Sequence, residues 1–184
     1  MKRVVIVHGL NGSPGEGWFP WIKKKLEDRG FSVTSSQFPL GENLTVSKWQ
    51  EQLKKDCVTL DRNLFFIGHS LGCISIIRFI ENLPKGVIVG GAVFVAPFIK
   101  KLKIPEISEF TNTSLNVEKA KSHILKSVCI ISEEDPSVPF DIAMDFVNRT
   151  NSEFVIDNGK GHFGKKSGIK ELPSALEAIL KISK

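Results

Sequence analysis

Leu64-Phe65-Phe66-Ile67-Gly68-His69-Ser70-Leu71-Gly72-Cys73-Ile74-Ser75-Ile76-Ile77 is the stretch whose reading decides the fold. The apolar run Leu64 to Ile67 ends at Gly68. A helix-periodic apolar stretch, Cys73 to Leu83, begins just after Gly72. The pattern reads as strand, sharp turn, helix, with Ser70 at the tip. A serine on so tight a turn has strained backbone angles and close neighbours. Gly68 leaves room on the strand side, and Gly72 lets the helix pack tightly on the strand. The helix aims its unpaired N–H groups and positive dipole end at the serine. The backbone N–H of Leu71 is then placed to hold an oxyanion.

Outward from this turn, strand-like and helical segments alternate. The strands read as Arg3 to His8, Ser32 to Ser36, Leu64 to Gly68, Gly91 to Ala96, Ser127 to Ser132 and Glu153 to Asp157. The helices read as Trp18 to Arg29, Val46 to Leu60, Leu71 to Leu83, Val117 to Leu125, Pro139 to Asn148 and Glu171 to Ile182. Several strands are nearly continuous Val, Ile and Phe, the signature of burial on both faces. Repeated strand-helix units predict an α/β three-layer sandwich: a six-stranded parallel sheet with helices on both faces. Sites in such sheets lie at the carboxyl ends of the strands. Residues 97–116 interrupt the rhythm. They read as a longer loop, with a rudimentary cap over the site as the alternative.

The chain has 184 residues, enough for one domain, 1–184, and too few for two comfortable ones. Its 41% hydrophobic and 24% charged residues are ordinary for a globular protein. A net charge of +5 is spread over scattered lysines without aromatic interleaving, so no nucleic-acid partner is expected. No run approaches membrane-spanning length, and no signal-type segment precedes the first strand. The expectation is a cytoplasmic protein without a membrane partner. Cys57, Cys73 and Cys129 lack metal-ligand spacing, and neither metal nor cofactor is expected.

Serine is a weak nucleophile and needs a base, which in turn needs an orienting carboxylate. After a strand-turn-helix serine of this kind the order along the chain is Ser, then Asp or Glu, then His, each beyond a later strand. Of four histidines, His8 lies upstream. His69 is inside the turn with its side chain directed away from that of Ser70, and His123 falls before a strand. His162, between Gly161 and Phe163 after the last strand, fits the base. Asp135 follows the fifth strand, and Pro136 restrains it to an extended conformation. Glu133 and Glu134 are its rivals. The second oxyanion N–H falls to Leu10 or Asn11 in the bend His8-Gly9-Leu10-Asn11-Gly12-Ser13, with Leu10 leading because it follows Gly9. Trp18 and Trp21 read either as pocket walls or, three apart on one helical face, as packing.

The chain resembles the small serine hydrolases related to retinoblastoma-binding protein nine, a compact branch of the α/β-hydrolase superfamily. Four stretches carry the likeness: Val4 to Gly9; Gly15 to Lys23, with its paired tryptophans; Ile67 to Gly72; and Glu134-Asp135-Pro136 with Gly161-His162-Phe163. The resemblance implies a Ser70, Asp135, His162 triad and a six-stranded core with little or no lid. The L-x-C-x-E motif is absent, so partner binding does not carry over, and no protein partner is identified. The function expected is cleavage of a small carboxylic ester, or an amide or thioester, through a Ser70 acyl-enzyme. The competing reading is a protein- or ligand-binding module on a hydrolase scaffold.

Overall fold

The computed structural model describes residues 1–184. Its strands are β1 Arg3–Val7, β2 Ser32–Ser35, β3 Leu64–His69, β4 Val89–Val95, β5 Ile124–Ile131 and β6 Glu153–Ile156. They form one parallel sheet in the order β2-β1-β3-β4-β5-β6. The helices are α1 Phe19–Glu27, α2 Val46–Asp56, α3 Leu71–Glu81, α4 Ser108–Asn112, α5 Val117–Ser122, α6 Phe140–Thr150 and α7 Pro173–Ile182. None is long and apolar enough to cross a membrane.

The unbroken apolar strands serve two cores at once. Val5, Val7, Phe66, Phe94 and Cys129 face α2, α3, α5 and α6. Their neighbours Val4, Ile6, Phe65, Val93 and Ile130 face α1 and α7. Side chains alternate across a strand, so a strand covered on both faces has no polar side to show. The expected α/β sandwich is therefore the observed one.

Strand order reverses at β1. The chain leaves β1 for β2 on one flank and returns from β2 to β3 on the other. The loops after β1 and β3 thus diverge and leave a crevice at the carboxyl edge, the usual ligand position in open parallel sheets. Its floor depends on one close approach. A Cβ on Gly72 would collide with the Val7 carbonyl oxygen and stand 2.9 Å from that of His8. Only glycine lets the first turn of α3 lie against the end of β1.

Most element ends fall within a few residues of the expected ones, α2 stopping at Asp56 rather than Leu60, and larger differences lie around β4, β5 and residues 97–116. β4 begins two residues earlier than the expected Gly91, taking in Val89 and Gly90, and ends at Val95 rather than Ala96. The helix expected to reach Leu125 stops at Ser122, because Ile124 and Leu125 already belong to β5, where Ile124 pairs with Val89. The segment read as a loop is folded: Pro105–Ile107 makes a 3₁₀ turn, α4 follows, and Ile107 and Phe110 are buried. The buried Arg78 of α3 holds it, donating to the carbonyls of Phe110, Thr113 and Ser114 at 2.6 to 3.2 Å.

Gly72→Ala is expected to destabilise the protein by about 3 kcal/mol, the upper range for overpacking a close contact. Gly15→Ala, with no heavy atom near the added carbon, is the control and should be near neutral. Urea unfolding midpoints of the two variants check this.

Candidate active site

Ser70 joins β3 to α3 with φ 53° and ψ −117°. A non-glycine residue holds such angles only under constraint. The constraint is visible: its N–H donates to the Val95 carbonyl and its carbonyl accepts the Cys73 N–H, both at 2.9 Å. Five non-glycine residues have positive φ. Asn151 closes α6, whereas Asn11, Ser70, Ala96 and Phe163 follow β1, β3, β4 and β6 around the crevice.

His162 reaches across from the loop after β6. Its Nε2 lies 3.0 Å from Ser70 Oγ. Its Nδ1 lies 2.8 and 3.0 Å from the two carboxylate oxygens of Asp135. An ionised carboxylate only accepts, so Nδ1 carries the proton and Nε2 is free to accept one from the serine. The Asp135 side chain is 3% exposed. Its Oδ1 also accepts the N–H groups of Ser137 and Val138, at 2.8 and 3.0 Å. The rivals point elsewhere. Glu133 exchanges hydrogen bonds with Asn158, and Glu134 accepts the backbone N–H groups of Lys160 and Gly161.

The first loop closes the opposite side. The Gly9 carbonyl accepts from His8 Nδ1 at 2.8 Å and from the Gly12 N–H at 3.1 Å. His8 Nε2 accepts the Phe38 N–H at 2.9 Å, which fixes the imidazole as the neutral Nδ1–H tautomer. The N–H groups of Leu10 and Asn11 have no partner in the chain. Both residues line the cleft with Ser70, Leu71 and His162, in a space of about 530 Å³. Ile104, Ile107, Leu10 and Pro136 supply its apolar part, and Lys165, Lys166 and Glu16 lie at its polar part. Clefts beside Lys126 and Asn116 contain no serine paired with a histidine.

Trp18 is not a pocket wall. It is 1% exposed, packs with the α1 and α7 core, and donates its indole N–H to the Phe163 carbonyl at 2.9 Å. A tryptophan at the start of an apolar helical face gives no sign of which loop its N–H will meet. The sequence reading assigns no other role to His8 and His69, whose positions set them aside as the base. His69 Nε2 donates to the His162 carbonyl at 2.8 Å. For His8 a signal existed: an imidazole at the end of a buried strand, beside a glycine bend, needs partners.

A family profile described as serine hydrolase spans residues 4–181. The chain belongs to the serine hydrolase family. YdeN of Bacillus subtilis strain 168, named as a hydrolase, is 30% identical over 179 residues, 97% of this chain and 94% of its own. The crystal structure of the ydeN product superimposes with a TM-score of 0.93 at 29% identity, covering 99% and 98% of the two chains. The serine hydrolase RBBP9 of Rattus norvegicus is 24% identical over 183 residues, 97% of this chain and 95% of its own. Est1E of Butyrivibrio proteoclasticus, solved with ferulic acid, shares the fold at a TM-score of 0.67 and 15% identity, over 100% and 87% of the chains. The protein is thus an enzyme of the serine hydrolase class on an α/β-hydrolase fold.

Two imidazoles at this site titrate abnormally. Burial lowers the His8 pKa, against the smaller opposing pull of its Gly9 bond. Burial, reinforced by the neighbouring His162, pushes His69 down to about 3. Unfolded, both titrate near 6.5. Below that pH the unfolded chain binds more protons than the folded one, so acidification costs stability from pH 6.5 downward. For His69 the loss approaches about 1.4 kcal/mol per pH unit near pH 5, and His8 adds to it in the same direction. Unfolding free energies at pH 7, 6 and 5 should fall in that order, and histidine NMR should keep His69 neutral at pH 5.

Proposed function

We propose that this hydrolase cleaves small carboxylic esters through an acyl-enzyme on Ser70, with His162 as general base and Asp135 as its orienting carboxylate. The observation that carries the reading is the unbroken chain from Ser70 Oγ through both nitrogens of His162 to a buried carboxylate. His162 Nε2 takes the hydroxyl proton as Ser70 attacks the carbonyl carbon. The imidazolium is stabilised by Asp135, which also keeps the ring in the required tautomer. His162 then protonates the departing alkoxide, leaving the acyl-serine. A water, deprotonated by the same nitrogen, releases the acid and restores Ser70.

The tetrahedral oxyanion needs two donors. Leu71 N–H, in the first turn of α3, is one. Leu10 is the better second choice over Asn11. The Gly9 carbonyl is pinned inward by His8 and Gly12. In a trans peptide the next N–H points the opposite way, which directs Leu10 N–H outward to the cleft. Asn11 lacks an equivalent anchor on the preceding carbonyl.

Cleft shape favours esters over peptides. The central strands β1 and β3 border it, not the edges β2 and β6, so no strand edge is offered to a peptide main chain. The apolar part suits an acyl group. The three cysteines are free and buried, in keeping with a cytoplasmic enzyme.

A fluorophosphonate probe should add covalently to Ser70. Addition should vanish in Ser70→Ala and slow at least a hundredfold in His162→Ala, with ester turnover down on the order of 10⁴-fold in both. Among p-nitrophenyl esters of increasing chain length and amino-acid amides, short and medium acyl esters should react fastest. Folded protein that takes no label at neutral pH, and turns over no ester, would identify a binding module instead.

A further inference from the structure

Phe163, next in the chain to His162, holds φ 54° with its side chain fully buried. A bulky residue keeps such a conformation only where its surroundings over-determine it. Two consecutive carbonyls are gripped here by ring N–H groups. His69 Nε2–H donates to the carbonyl of His162 at 2.8 Å, and Trp18 Nε1–H donates to that of Phe163 at 2.9 Å. On the amide side, Glu134 accepts the N–H groups of Lys160 and Gly161 at 3.0 and 3.3 Å. The two donor rings also brace each other. Trp18 and His69 meet edge to face at 6.3 Å, and Phe19 stands against His69 at 6.1 Å.

We propose that His69 and Trp18 are positioning residues that aim His162 at Ser70, by holding the base loop in its strained bend through the His162 and Phe163 carbonyls. The proposal rests on the reading of His162 as the general base. His69 immediately precedes the nucleophile, so the loop carrying the base is registered against the turn carrying the serine. A shift of β3 moves both ends of the Ser70–His162 hydrogen bond together. Trp18 adds a second fixed point from the foot of α1. Without them the bend relaxes, and the imidazole loses the 3.0 Å approach to Ser70 Oγ. His69 acts only with its proton on Nε2, since a carbonyl can only accept. The ionisable groups facing it are His162, Asp135 and His8. Burial keeps it uncharged, so it adds no positive charge beside the base.

The test compares the full chain with Trp18→Phe, His69→Leu and His69→Gln. It measures kcat and KM for a p-nitrophenyl ester from pH 5 to 9, the fluorophosphonate labelling rate, and thermal unfolding. Loss of either ring donor should lower kcat and labelling 10- to 100-fold with KM within twofold, the usual effect of a misplaced catalytic group. His69→Gln, whose amide nitrogen can replace Nε2, should recover most of the rate, whereas His69→Leu should not. A kcat within twofold of the parent in Trp18→Phe and His69→Leu overturns the proposal. So does a loss in His69→Leu that His69→Gln does not repair. If His69→Leu yields no folded protein, Trp18→Phe alone decides: kcat lowered tenfold or more supports the clamp, and kcat within twofold overturns it. His162→Ala separates the two readings. Full activity there defeats the base assignment itself, whereas its loss alongside intact Trp18→Phe and His69→Leu defeats only the clamp.

Discussion

At Gly72 the first turn of α3 runs so near the end of β1 that one methyl group would strike the Val7 carbonyl. This approach sets the geometry of everything above it. It draws the start of α3 beside the bend at Gly9, where an added Cβ would in turn stand 3.1 Å from the Ser70 side chain. The serine, the helix N-terminus and the unpaired amides of the first loop are thereby gathered within one small volume. The parallel sheet contributes the other half. β1 and β3 pair in register as far as Val7 and Gly68, so the two loops leave the sheet at the same height. A helix held even one side-chain layer further off would separate the first-loop amides from the serine.

Charge at this site is managed by burial and tautomer rather than by ion pairs. Three imidazoles crowd together, and the partners of each set its tautomer: His8 and His162 carry the proton on Nδ1, His69 on Nε2. His8 has a bare Nε2 because Phe38 N–H points at it, and His69 a protonated Nε2 because a carbonyl faces it. His162 keeps its proton on Nδ1, which donates to the Asp135 carboxylate and leaves Nε2 open to Ser70. The fixed neutral tautomers of the first two keep two positive charges away from the Ser70–His162 pair. Burial enforces this, since an imidazolium out of water is costly.

The sheet and the turn at Ser70 were legible in the chain because each leaves a local signal. Uninterrupted Val and Ile runs mark strands buried on both sides, and Gly68-His69-Ser70-Leu71-Gly72 announces its own turn. Chain order and placement after strands pointed to Asp135 and His162, which lie within hydrogen-bond distance of each other, His162 also of Ser70. What sequence does not carry is the direction of a side chain whose partner lies over a hundred residues away. Trp18 and Phe163 are 145 positions apart, and nothing near either predicts that an indole N–H will meet that carbonyl. Residues 97–116 misled for a related reason. A five-residue helix has too few turns to show a period, and its stabilising partner, Arg78, sits on a distant helix.

Arg78 ties the apolar flank of the cleft to the helix that follows Ser70. Its guanidinium spends its donors on the carbonyls of Phe110, Thr113 and Ser114, at and just beyond the end of α4, where a short helix leaves such groups unsatisfied. Glu81, one turn further along α3, accepts the Asn116 N–H and lies 3.9 Å from the same guanidinium. The segment bearing Ile104 and Ile107 is thus fastened to the helix that begins at Ser70. A cap hung from flexible hinges would admit and release substrate by opening. This one is anchored through a buried charge with several carbonyl partners, and removing the partners of such a charge is strongly disfavoured. The apolar flank of the cleft is therefore part of the rigid frame, and the proposed selection among acyl groups follows from a fixed shape rather than from closure.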